Sequence, residues 1–206
     1  MSNQANTSTH TSGDKRQGRR RSGRIAAVLM GLFAASAGAL WLGARSYDVG
    51  VTAPHSAPVE WALRRGMEAS IRAHAENVVI PDGTNLDDPK LAERAIGHYS
   101  VACAQCHGAP GHPAAPWMVL YPAPADLTRP EVVSRWSDAE LYWIVKHGIK
   151  DTGMIALGPT HQEQDLWAVS AFVRQLSQMS GERYHELVTQ YQTQRAQMAA
   201  APAHGH

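Results

Sequence analysis

Val101-Ala-Cys-Ala-Gln-Cys-His-Gly108 holds both cysteines of this 206-residue chain, Cys103 and Cys106, with His107 directly after the second. Two thiols and an imidazole this close, with no other thiol elsewhere, leave three kinds of chemistry. Zinc wants four N, S or O ligands, and structural sites usually pair two such knuckles. No second cysteine pair exists here, so scattered histidines would have to complete the set. A dithiol redox centre wants a βαβ setting, and no strand-like run precedes Cys103. The third is covalent attachment of a c-type haem, whose signature is Cys-x-x-Cys-His. The thiols then add to two vinyl groups as thioethers, and the histidine lies beneath the ring and binds iron. Both sulfurs must reach one porphyrin edge while His107 stays under the metal, which accounts for the spacing. The motif consumes both cysteines and implies one haem c with its iron, held by Cys103, Cys106 and His107.

Upstream, residues 1–24 are polar and basic. Lys15, Arg16, Arg19, Arg20, Arg21 and Arg24 stand against one acid, Asp14, a net charge of +5. Residues 25–44, IAAVLMGLFAASAGALWLGA, carry no charge. A helix of about 20 residues spans roughly 30 Å, the thickness of a bilayer core. The larger basic cluster lies before the span, so that side is expected in the cytoplasm and the remainder across the membrane. A cleaved signal peptide is the competing reading, with a small-x-small site at Ala37-Gly38-Ala39. The span's continuation to Ala44 and an interfacial Trp41 favour a retained anchor. Both versions place Cys103 outside the cytoplasm, where bacteria attach c-type haem. The bacterial inner membrane, with the haem domain in the periplasm, is the expected location.

Residues 45–87 read as a linker with one amphipathic helix. Val59, Leu63, Met67 and Ile71 recur every four residues, and Glu60–Arg64 and Glu68–Arg72 are spaced as i,i+4 ion pairs. Residues 88–180 form the expected domain. Asp88 caps a helix that starts with Pro89 and runs to about Val101. Ser137-Asp-Ala-Glu140 and Thr160-His-Gln-Glu163 are capping boxes, the first ending at Gly148 and the second opening a helix with Leu166, Val169, Val173 and Leu176 on one face. Between His107 and Pro130 the chain is rich in Pro, Gly and Ala. Such a long irregular loop fits a compact domain when it wraps a cofactor that supplies the missing core. Residues 181–206 read as a frayed helix and a polar tail, with His204 and His206 in solvent.

Iron needs a sixth ligand or an open site. Met154, 47 residues beyond His107, lies beside Gly153 in the loop between the two capping boxes. There its thioether can approach from the opposite side of the ring. Met67 and Met118 fit flexible filling better. His161 is the rival ligand, and His147, at a helix end, is a surface or propionate-edge candidate.

With these residues in place, the domain resembles a class I monohaem c-type cytochrome of the membrane-anchored bacterial kind. Gly97 and Tyr99 before Cys103-Ala-Gln-Cys-His107, then Thr152-Gly-Met154, then Asp165–Leu176 carry the resemblance. It implies an all-α fold wrapped around one haem, behind an N-terminal transmembrane helix. It also implies axial ligation by His107 and Met154, and a close crossing of first and last helices in which Gly97 meets an aromatic such as Phe172. Ile155 stands where many members have proline.

A His/Met iron has both axial positions filled, which implies one-electron transfer rather than enzymatic turnover. Residues 87–180 hold 7 basic and 10 acidic residues, a net charge of −3. That disfavours nucleic acid and suits weak, transient docking of redox proteins. The expectation is an electron carrier between respiratory or periplasmic partners, and not an enzyme. The alternative is a haem enzyme or gas-binding sensor with an open distal site.

Overall fold

The computed structural model describes residues 12–117 and 119–200, with side chains from residue 24 onward. Met118, His204, His206 and the side chains of Lys15 to Arg21 lie outside the described residues. The chain divides into two compact units, 1–50 and 51–206. The described residues are helical and contain no strand; Ala109 and His112 form an isolated bridge.

The first unit is one helix, α1 (Ser12–Ser46). Its segment Arg24–Ser46 is long and apolar enough to cross a membrane, and none of it is buried. The apolar residues exposed along it, Leu29, Phe33, Leu40 and Trp41 among them, have no protein core to enter.

The second unit begins with α2 (Ala57–Ala75). Its packing face follows the expected four-residue stripe only in part. Glu68, Ile71 and Ala75 are buried, whereas Leu63 is 56% exposed. The expected Glu68–Arg72 partners reach beyond the helix: Glu68, 3.8 Å from Arg65 within it, also bonds Arg135, and Arg72 lies 3.7 Å from Glu140. These cross-links and a His74–Trp143 ring contact at 5.6 Å hold α2 against α7 (Asp138–His147). The spacing of Glu68 and Arg72 suited a local pair, but the partners brought up by the fold are better placed.

The expected helix from Asp88 to Val101 is real at its start and broken afterwards. Asp88 accepts from Lys90 N–H at 3.0 Å, and Pro89 opens α3 (Pro89–Glu93). A tighter turn at Ala95 precedes α4 (Ile96–His98), then a π-helical turn at Tyr99–Cys103 leads into α5 (Ala104–His107). The wider turn accommodates one extra residue, a distortion frequent at functional sites. After α6 (Pro130–Val133), α7 starts with the capping box foreseen. Ser137 Oγ accepts from Glu140 N–H at 3.2 Å, and Glu140 Oε2 accepts from Ser137 N–H at 2.7 Å.

The second capping box does not form. α8 (Glu163–Leu176) begins two residues later than expected, and Gln162 at its N-cap makes no side-chain bond. Thr160 Oγ1 instead donates to Leu157 O at 3.3 Å, which removes it from the helix end.

The polar tail is likewise corrected. α9 (Gly181–Ala200) places Tyr184 and Leu187 in the core, each 5% exposed. Residues 184, 187, 188 and 191 recur at helical spacing, a stripe obscured by its polar neighbours. Tyr191 occupies the space beside Gly97: a Cβ there would lie 2.1 Å from its ring. The nearest neighbour of Gly97 is therefore Tyr191 of α9. Phe172 packs on Tyr99 instead, with ring centroids 4.8 Å apart and both side chains fully buried. α2 and α9 thus pack on the segment 88–180 rather than trailing from it.

Candidate haem site

Cys103 and Cys106 are both half-buried and separated by the first turn of α5. Burial, with a contribution from Cys106, pushes the Cys103 thiol up to about 11. A dithiol redox centre needs a ready thiolate, and such cysteines sit in settings that lower the thiol pKa. Burial acts in the opposite direction at Cys103, which disfavours that reading. Zinc fares no better, since no group of three or more His, Cys, Asp or Glu suited to a metal occurs among the described residues.

His107 ends α5, and Gly108 follows with φ +70, a conformation suited to glycine. The turn sends the chain back under the motif. There His107 Nδ1 lies 2.7 Å from Ala125 O. A carbonyl can only accept, so Nδ1 carries the proton and Nε2 keeps the lone pair that a metal needs. A second bond, Leu127 N–H to His107 O at 3.4 Å, ties the same loop to the backbone of α5. Tyr99 anchors the motif from behind. Its buried hydroxyl donates to Gly108 O at 2.7 Å, and burial holds its phenol well above the usual range. These groups fit a covalent haem: two thiols on one turn, and an imidazole locked in the metal-binding tautomer.

The second half of the site is the loop after α7. Gly148 ends α7 with φ +64. A Cβ there would lie 2.5 Å from Met154 O and 2.7 Å from the Ile155 carbonyl carbon. Ile149 N–H donates to Met154 O at 3.1 Å. Thr152 Oγ1 donates to Ile149 O at 2.7 Å and accepts from Met154 N–H at 3.1 Å. Leu157 and Gly158 N–H close the far end on the carbonyls of Val145 and Lys146. Met154 is therefore half-buried on a loop bonded at both ends.

Contacts bring this loop toward the attachment segment. A Cβ on Gly153 would lie 3.0 Å from Leu120, in the loop that follows His107. The His161 ring meets His98 of α4 edge-on at 4.5 Å, while its Nδ1 lies 3.1 Å from Leu157 O. His161 is thus engaged with α4. His147 stacks on Trp143 at 4.8 Å, and burial with Lys146 nearby lowers its pKa.

Residues 90–173, which include both the motif and the Met154 loop, match the family model described as cytochrome C oxidase, cbb3-type, subunit III. This segment is a monohaem c-type cytochrome domain. Such a domain carries one covalently bound haem c and its iron. No curated protein and no solved structure matches the chain. The cytochrome match leaves α1, α2 and α9 outside it.

Motif reading missed the Ala125 carbonyl, the Tyr99–Gly108 bond and the close approach of the Met154 carbonyl to Gly148. A carbonyl carries no residue signature, so only the fold discloses it. The glycine had a signal, since it was already expected to stop α7.

Proposed function

We propose that the protein is a membrane-anchored one-electron carrier whose haem c is attached through Cys103 and Cys106 and ligated by His107 and Met154. The observation that carries this reading is the Cys103-Ala-Gln-Cys106-His107 segment with His107 Nδ1 engaged by Ala125 O. The haem, when bound, supplies a ferric–ferrous couple, and a His/Met pair raises its potential. The protein's share is positional. α5 sets both sulfurs and the imidazole, and the bonds of Thr152 and Ile149 hold the backbone of Met154 in place. A site that need not rearrange between redox states suits transfer to a docked partner.

α1 is read as the anchor, with the basic cluster on the cytoplasmic side and the haem domain in the periplasm. Its length and bare apolar surface support this, as does the +5 charge before the span. The matched description names an oxidase subunit, which supports a respiratory redox partner in the same membrane.

Purified protein is expected to keep one haem per chain through acidic solvent extraction, with the added mass on the intact polypeptide. Haem released by extraction sinks the reading. Membrane fractions should retain the protein through a carbonate wash; a soluble chain beginning near Leu40 would mean a cleaved signal. The untouched protein should bind carbon monoxide only slowly. Rapid binding transfers the assignment to a haem enzyme or gas sensor.

Gly148→Ala tests how the Met154 loop is held. A left-handed φ costs a non-glycine residue about 1–2 kcal/mol, and the new Cβ would strike backbone rather than a yielding side chain. Lower thermal stability and a weakened ferric far-red iron–methionine band are expected. An unchanged band and melting temperature would show that Gly148 does not hold Met154.

A further inference from the structure

We propose that Asp126 and Thr128 are positioning residues for His107: the turn they close aims the Ala125 carbonyl at the imidazole Nδ1 and so tunes the reduction potential. The proposal rests on the reading of His107 as an iron ligand.

Two bonds reach His107 from one short stretch. Ala125 O meets its ring Nδ1 at 2.7 Å, and Leu127 N–H donates to its carbonyl at 3.4 Å. Asp126 lies between these two contacts. Its Oδ1 accepts from Thr128 N–H at 3.0 Å and from Thr128 Oγ1–H at 2.6 Å, and its carbonyl accepts from Arg129 N–H at 3.3 Å. Pro130 then opens α6. The turn is therefore closed by a side chain and continues directly into a helix.

The segment before it has little of its own to hold Ala125. Pro122 and Pro124 lack N–H groups and cannot donate backbone hydrogen bonds. The closure by Asp126 is thus the nearest restraint on the direction of the Ala125 carbonyl. An Asp side chain bonded to the backbone two residues on is a standard way of fixing such a turn.

A carbonyl that accepts from Nδ1–H fixes ring orientation and raises the basicity of the ligating nitrogen. A more basic ligand favours ferric iron, so loss of the bond should raise the potential. The Asp126 carboxylate is exposed, and ionic screening weakens its direct electrostatic effect. Geometry and charge can be separated. Asp126→Asn keeps an acceptor oxygen for the same turn and removes the charge. Asp126→Ala removes both, and Thr128→Val removes the hydroxyl bond alone.

The test uses the full-chain holoprotein. It measures the reduction potential and, by NMR of the ferrous state, deuterium exchange of the His107 Nδ1 proton. Asp126→Ala should raise the potential and speed that exchange by about tenfold, the scale of one lost hydrogen bond. Asp126→Asn should return both values close to wild type. Thr128→Val should move both in the same direction by less. The far-red methionine band should persist in all three. Equal potential shifts in Asp126→Asn and Asp126→Ala would assign the effect to charge and overturn the proposal, as would unchanged exchange in Asp126→Ala. Should Asp126→Ala yield no holoprotein, Thr128→Val decides: wild-type values in both measurements overturn it. Failure of the underlying ligand reading has a different mark, a wild-type protein without covalent haem or without an iron-shifted His107 ring.

Discussion

Cys103→Ala and Cys106→Ala should each leave little or no mature holoprotein, the largest effect expected of any single change in the chain. Both sulfurs sit on one turn, with Cys103 packed against the core formed by Tyr99 and Phe172. In the proposed arrangement each thioether would be a covalent tie between the cofactor and a segment that has little regular structure of its own. In the proposed reading the Pro-, Gly- and Ala-rich loop from Gly108 to Arg129 would use the cofactor as its inner surface. Without attachment, the loop loses the surface around which it is ordered, and the chain becomes a substrate for proteolysis. Haem staining after denaturing electrophoresis, together with the abundance of the mature chain, measures the outcome. Wild-type levels of covalent haem in both variants would refute the attachment site.

Met154→Ala has the second largest effect and separates a carrier from a catalyst. The side chain removed is half-buried, on a loop fixed by Ile149, Thr152 and the backbone of α7. These restraints involve backbone and Thr152, not the thioether, so the loop should persist when the thioether is gone. The expected result is a folded holoprotein with an open sixth position. Carbon monoxide should bind the ferrous form rapidly, and the ferric far-red band should vanish. The potential should fall, because a thioether favours ferrous iron. His161→Ala should leave that band in place, since the His161 ring packs on His98 and its Nδ1 lies beside Leu157 O. The reverse pattern, with His161→Ala opening the site and Met154→Ala leaving it closed, would mean bis-histidine ligation.

The cytochrome c character of residues 90–173 was legible in the sequence because the proposed covalent attachment motif is local. Five consecutive residues, Cys103 to His107, carry the bonding requirement, and no distant residue is needed to read it. The long apolar helix over residues 25–44 was legible for a similar reason, since it follows from length and absence of charge. Caps were legible where the side chain had no better offer. Ser137 and Glu140 met as their spacing required, whereas Thr160 turned back to Leu157 O and the box at Thr160 was lost.

Other features depended on which surfaces the chain folding brings together. Gly97 needed a close neighbour, but only packing decided that it was Tyr191 of α9, from a segment whose polar residues mask its apolar stripe. Glu68 and Arg72 are spaced for each other, yet they pair with Arg135 and Glu140, because docking α2 on α7 places those partners nearer. The polarisation of His107 by Ala125 O is of the same kind. Any residue type can supply a carbonyl, so its placement is set by the turn at Asp126 and by the path of the chain. Identity was fixed by bonds between neighbours in sequence; tuning and support came from contacts between residues remote in sequence, which exist only once the fold has formed.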